Sequence, residues 1–109
     1  MVGDKSLYPE IGQWIFNSSP DEAEKLVMRA SLSDEGDVGT FEFDYIKMGG
    51  ITNWFDAGAK ATTELTKLLN ILRKSYIDEG QPSWNKYEFI LDVKTGRFEF
   101  NIDYEDSEQ

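Results

Sequence analysis

Residues 81–106 read QPSWNKYEFILDVKTGRFEFNIDYED, and the alternation within them leaves few folds open. Tyr87, Phe89 and Leu91 alternate with Glu88, Ile90 and Asp92. After a break, Phe98, Phe100, Ile102 and Tyr104 alternate with Glu99, Asn101 and Asp103. Successive strand residues point to opposite sides, so the pattern describes a β-hairpin with one oily face and one acidic face. Pairing Leu91 with Phe98, Phe89 with Phe100 and Tyr87 with Ile102 leaves residues 93–96 as the turn, where Gly96 supplies a positive φ. That register also sets Asp92 opposite Arg97, an opposite-charge pair that favours it. A slip of one residue would drive carboxylates into the packed face. A hairpin built this way needs an apolar layer on its oily side.

The upstream sequence supplies that layer. Leu7, Tyr8, Ile11, Trp14 and Ile15 recur near the helical period, predicting a helix over 7–16 that Asn17-Ser18-Ser19-Pro20 breaks. Leu26, Met28, Ala30 and Leu32 alternate with Val27, Arg29 and Ser31 in a first strand. Residues 33–39 form a polar turn, and Phe41, Phe43 and Tyr45 alternate with Glu42 and Asp44 in a second strand. Met48-Gly49-Gly50 interrupts, and 51–55 reads as a short third strand. A long helix follows over 57–77, where Leu65, Leu68, Leu69, Leu72 and Tyr76 draw one apolar stripe. Asp56 is its expected N-cap, and Gly80 with Pro82 its stop. The expected fold is α+β: a mainly antiparallel sheet of about five strands, with the N-terminal helix and the long central helix packed on one face. At 109 residues, 1–109 is expected to form one domain, since a core serves about 100–150 residues.

The chain contains no histidine and no cysteine. That removes the commonest general base, thiolate chemistry and most transition-metal ligands. Catalysis would have to rest on carboxylates, lysine, tyrosine or a hard metal, and paired carboxylates work only with split pKa values, which outward strand positions in water do not provide. Asp34-Glu35-Gly36-Asp37 superficially suggests a calcium loop, but the distal bidentate glutamate of an EF-hand is missing, and a polar turn is the expected reading. No catalytic residue, metal site or cofactor is expected, and the chain is read as a non-enzyme. The net charge of −10 argues against nucleic acid or an anionic membrane as direct partner. No basic start followed by an apolar stretch marks a signal peptide, and no run suits a spanning helix, so a cytoplasmic location is expected.

Charge is unevenly distributed. Residues 1–56 hold four basic and eleven acidic side chains, 57–80 four and three, and 81–109 three and seven. Acidity therefore sits on strands, loops and tail, while the long helix is nearly neutral. Charge added for solubility alone has no reason to avoid that helix. Glu42, Asp44, Glu88, Asp92, Glu99 and Asp103, extended by Glu105 and Asp106, are the candidate partner-facing residues. For each one singly, a solvated outward strand position is the alternative. Trp14 is expected in the core and Trp84 at a sheet edge. Trp54-Phe55 lies between a Gly-Gly break and a helix start. Tryptophan is enriched at binding hot spots, so Trp54 joins the candidates, although a core or lid role carries more weight for a large aromatic.

Several segments, in order along the chain, resemble the YezG/EsaG-like antitoxin (immunity) family of bacterial polymorphic toxin systems. They are Tyr8-Pro9-Glu10-Ile11, the strand–turn–strand over 26–45, Gln81-Pro82-Ser83-Trp84, the turn Lys94-Thr95-Gly96-Arg97-Phe98 and the ending Tyr104-Glu105-Asp106. The C-terminal third carries the most specific part of the likeness. Family members usually continue past that ending, whereas here three residues remain. The resemblance implies inhibition by binding of a cognate toxin, usually a nuclease, inside the producing cell. A nuclease must attract a polyanion, so a carboxylate-rich sheet would complement its cleft. Two other readings are an acidic decoy that mimics nucleic acid and a generic protein-interaction module. A decoy would bind many basic proteins, whereas a dedicated immunity protein discriminates among close relatives of its target.

Overall fold

The computed structural model describes residues 7–81 and 85–103, with the side chain of Asp103 also outside the description. The elements run α1 (Leu7–Ser18), β1 (Ala23–Leu32), β2 (Gly39–Lys47), β3 (Ile51–Phe55), α2 (Ala59–Asp78), β4 (Lys86–Asp92) and β5 (Phe98–Asp103). The strands form one sheet in the order β3-β2-β1-β4-β5, every neighbouring pair antiparallel. This is the expected α+β fold, with both helices on one side. β1 is the central strand, and β3 and β5 are the edges.

Strand parity sorts the side chains. Leu26, Met28, Ala30 and Leu32 of β1, Phe43 of β2, and Tyr87, Phe89 and Leu91 of β4 are buried in one cluster with helical residues. The helices contribute Leu7, Ile11 and Ile15 from α1 and Leu65, Leu68, Leu69 and Leu72 from α2, each set spaced to line one helix face. Full burial of each such side chain stabilises the fold by about 1.5–3 kcal/mol relative to exposure. The rings of Phe98 and Phe100 extend this layer along β5. Phe98 stacks on Phe89 at 5.3 Å, and Tyr8 of α1 meets both Phe98 and Phe100. Tyr8 and Tyr76 share a 3.0 Å hydrogen bond that joins the two helices.

The hairpin register is the expected one: Leu91 faces Phe98, Phe89 faces Phe100 and Tyr87 faces Ile102, with Gly96 at φ 75° in the turn. The Asp92 N–H donates to the Arg97 carbonyl at 2.8 Å, so the backbones meet as expected. The Asp92 carboxylate, however, accepts the N–H groups of Lys94 and Thr95 at 3.0 and 3.3 Å. It caps the turn and does not form the expected pair with Arg97, because the nearby backbone donors need an acceptor.

The start of α2 also differs from expectation. Gly58, at φ 92°, is the N-cap residue and makes no side-chain cap bond. Asp56 lies two residues upstream and closes a tight turn by accepting the Gly58 N–H at 2.9 Å. The short polar side chain bonds its own local backbone in preference to the helix end. The stop is as read: Gly80 has φ 86°, and Gln81 N–H reaches back to the Tyr76 carbonyl at 2.9 Å. Pro82 and Trp84 lie outside the described residues.

α2 is tied to the β1–β2 turn by buried polar contacts. Arg73, 6% exposed, donates to the carbonyls of Ser33 and Asp34 at 3.1 and 3.3 Å. Asn70 donates to the Gly36 carbonyl at 2.7 Å. Gly36 has φ 80°, and a Cβ there would collide with Asn70 Oδ1. The turn over 33–38 thus accepts helix donors through its carbonyls. Among the described residues, no helix is long and apolar enough to cross a membrane.

Candidate functional site

The face of the sheet away from the helices is the candidate site. The register sets its outward side chains in rows that cross the strands. One row runs Trp54, Asp44, Val27, Ile90, Glu99 from β3 to β5. The next runs Glu42, Arg29, Glu88, Asn101. On the other side of the first row lie Thr52, Ile46, Lys25 and Asp92.

Arg29 stands at the centre because β1 is the central strand. Its guanidinium is hydrogen-bonded to the Asp44 carboxylate at 2.9 Å, with Glu88 at 3.7 Å and Glu42 at 3.9 Å. The Asp44 hydrogen bond is the largest influence holding the Arg29 guanidinium above its ordinary pKa; the charges of Asp44, Glu88 and Glu42 add to it, and partial burial opposes it. Asn101 donates to the Glu88 carboxylate at 3.4 Å, extending the cluster to β5. One cation thus holds three carboxylates from two neighbouring strands in a fixed arrangement, and the acids outnumber it.

The apolar part of the face is a short belt. Val27 is only 8% exposed although it points away from the helices, and it lies between Asp44 and Ile90. At the β3 end of the same row Trp54 is 77% exposed. Phe55, its chain neighbour, turns to the core side and packs on Phe43 at 5.5 Å and Tyr45 at 6.1 Å. The core role expected for a large aromatic therefore belongs to Phe55, while parity places Trp54 in solvent.

The remaining candidates divide. Glu99 is exposed on β5 across from Ile90. Asp92 is committed to its turn. Asp103 occupies the end of β5 opposite Lys86, but its side chain is outside the described set, as are Glu105 and Asp106 entirely. Glu42, Asp44 and Glu88 are brought together around one cation that had not been placed among them. The signal for Arg29 was its parity on the first strand. Its meaning depended on knowing that this strand lies between the second and fourth.

An open hollow of about 630 Å³ adjoins the cluster, bordered on this face by Ser31, Thr40, Glu42, Lys86, Glu88 and Asn101. It is open to solvent and lined by charged and polar side chains. The chain has no histidine or cysteine to activate the Ser31 or Thr40 hydroxyl. Among the described residues no group of three or more Asp or Glu side chains is disposed to hold a metal ion.

Compared with known families, the chain matches the model described as "Immunity protein YezG-like" over residues 5–109. No curated protein matches the chain.

Proposed function

Because the chain belongs to the YezG-like immunity protein family, we propose that it binds and neutralises a cognate secreted nuclease toxin through the helix-free face of its sheet. The observation that carries this reading is the cluster of Glu42, Asp44 and Glu88 held by Arg29 beside the exposed ring of Trp54. A nuclease gathers a polyanion with cationic side chains, so its cleft is complementary to a carboxylate-rich plate. The plate is rigid, because its other side is the protein core, and so little ordering is lost on docking. Trp54 supplies the large, partly apolar contact typical of a hot spot.

Long-range attraction between such surfaces raises association rates toward about 10⁸–10⁹ M⁻¹s⁻¹ at low salt. Fast capture suits a protein that must intercept an enzyme able to damage the cell's own nucleic acid. The protein works by occlusion, without catalysis or cofactor, in the cytoplasm where that nucleic acid lies. The mixed character of the face favours a dedicated inhibitor over a phosphate-mimicking decoy. A decoy repeats like charges, whereas here Lys25, Arg29 and Lys86 are interspersed among the acids and an apolar belt crosses them.

The test is inhibition of the cognate nuclease toxin. Glu42→Lys combined with Glu99→Lys should slow association by about tenfold at low salt, with the loss shrinking as salt rises. Unchanged association at low salt would remove this face from the interface. Equal inhibition of several unrelated basic nucleases would favour the decoy.

A further inference from the structure

The two edges of the sheet are treated differently by the sequence. β5 carries Glu99 and Asp103 and follows Arg97, the kind of charged edge that repels an added strand. β3 has no such guard: from Met48 to Phe55 there is no charged residue and no proline. Met48 in the turn before it is 77% exposed, and Ile51 and Trp54 along it are 55% and 77% exposed. An unguarded edge with bulky apolar side chains is where sheets accept another chain.

β3 also stops halfway along its neighbour. It pairs with β2 from Phe43 to Lys47 only, so the part of β2 before Phe43 has no strand on that side. At the step lies a notch of about 520 Å³. Phe41, Phe43 and Phe55 form its apolar lining, Trp54 and Thr62 stand at its side, and Glu42, Asp44 and Asp56 supply carboxylates. Aromatic surfaces combined with carboxylates fit a side chain with an apolar stem and a cationic head.

We propose that the β3 edge receives an extended cationic segment of the partner protein as a sixth strand, with an arginine or lysine of that segment seated in the notch. This deepens the reading above and rests on it, the partner being the toxin. Backbone hydrogen bonds to β3 supply affinity that any extended chain shares, and the notch selects a cation at one position of the register. A second copy of this chain is the poorer occupant. Each copy carries a net charge of −10, and pairing would bring acidic surfaces together.

The test uses the full chain, isotope-labelled for NMR, and a short capped peptide alternating arginine and valine. Two control peptides carry glutamate for arginine, or N-methyl groups on alternate amides. The arginine peptide should shift the amides of Ile51–Phe55 and the Trp54 indole, and slow hydrogen exchange along β3. Both controls should bind at least about tenfold more weakly, since one lacks the charge and the other the backbone donors. Ile51→Lys, which guards the edge at an exposed position, should keep the wild-type melting temperature and weaken the peptide by a similar factor.

Shifts confined to β5 or to the Arg29 face would overturn strand addition, as would equal affinity for the N-methylated peptide. So would a concentration-dependent dimer through β3 in the absence of peptide. The two levels of the reading separate cleanly. An Ile51→Lys protein that inhibits the toxin with undiminished affinity removes the edge and keeps the immunity function. A toxin that the wild type fails to inhibit removes the function, whatever the peptide does.

Discussion

Arg29→Met tests whether the outer face is organised by one cation. The substitution keeps a flexible apolar stem over the sheet and deletes the guanidinium. It removes a hydrogen-bonded ion pair at 2.9 Å and two looser contacts at 3.7 and 3.9 Å. The arginine side chain is 49% exposed, so the short pair is worth about 0.5–1 kcal/mol and the longer ones less. Deletion also leaves three carboxylates without that counter-charge, two on β2 and one on β4, the strands that flank β1. Glu42 and Asp44 are two residues apart on one strand, about 7 Å, and Glu88 lies two strand spacings away, about 10 Å, where two like charges in a water-like dielectric repel by about 0.4–0.6 kcal/mol. Screening at about 0.1 M salt reduces that further.

The expected loss is therefore about 1–2 kcal/mol at low salt, equivalent to roughly 4–16 °C in Tm for a domain of this size. Urea denaturation followed by tryptophan fluorescence and by circular dichroism measures it. The loss should fall by about half in 1 M salt, where the screening length is only about 3 Å. A loss that does not change with salt would refute the electrostatic account and assign Arg29 to packing over Val27. At low salt the variant should also bind a cationic partner faster than wild type, because its face gains one unit of negative charge.

Gly36→Ala should destabilise by about 2–4 kcal/mol in urea melts, combining a left-handed backbone cost, a steric conflict with Asn70 and a lost hydrogen bond. A change within experimental error would mean that the β1–β2 turn is not anchored on α2. Trp54→Ala should leave Tm almost unchanged, since the ring is 77% exposed, and should weaken toxin binding by at least about tenfold; a large fall in stability would contradict its place in solvent. Alkaline pH should destabilise the fold through Tyr87, whose phenol burial pushes well above its ordinary value of 10.0 while Arg73 partly offsets the shift. Its neutral form is favoured by folding, so the stabilisation is complete below about pH 10 and declines above it, by about 1.4 kcal/mol per pH unit. Stability that stays flat between about pH 9 and pH 11, or early tyrosinate absorbance from every tyrosine of the native protein, would contradict this.

The hairpin was legible pair by pair because its determinants are local: alternation fixes the face, and the turn glycine fixes the offset. The helices were legible from their apolar stripes, with an error of two residues where Asp56 bonds Gly58 instead of capping α2. Strand order was not legible. Pairing of β1 with β4 spans α2 and two other strands, and nothing in the local pattern of Leu26–Leu32 announces it. That single missing relation hid the site's organiser. With β1 between β2 and β4, Arg29 meets Glu42 on one side and Glu88 on the other, and an apparent row of acids becomes a cluster around a cation. The expected pairing of Asp92 with Arg97 failed for another reason. The Asp92 position faces outward, but a carboxylate beside unpaired turn amides is drawn to them.

Parity also separates what folds the chain from what its surface can recognise. Met28, Phe89 and Leu65 have no exposure, and shortening any of them to alanine would cost about 2–5 kcal/mol. Glu42, Trp54 and Glu99 lie on the opposite side or at its edge, where substitutions typically move stability by less than about 0.5 kcal/mol. A protein matched to one partner must be able to change its contacts when that partner changes, without losing its fold. In this sheet the two sets of residues alternate along the same strands yet scarcely touch. Val27 is the exception: it points to the helix-free face proposed for docking and is nearly buried there, so it would link the two roles. A change at Val27 should alter stability and the proposed docking together, whereas changes at Glu42 or Glu99 should alter the proposed docking alone.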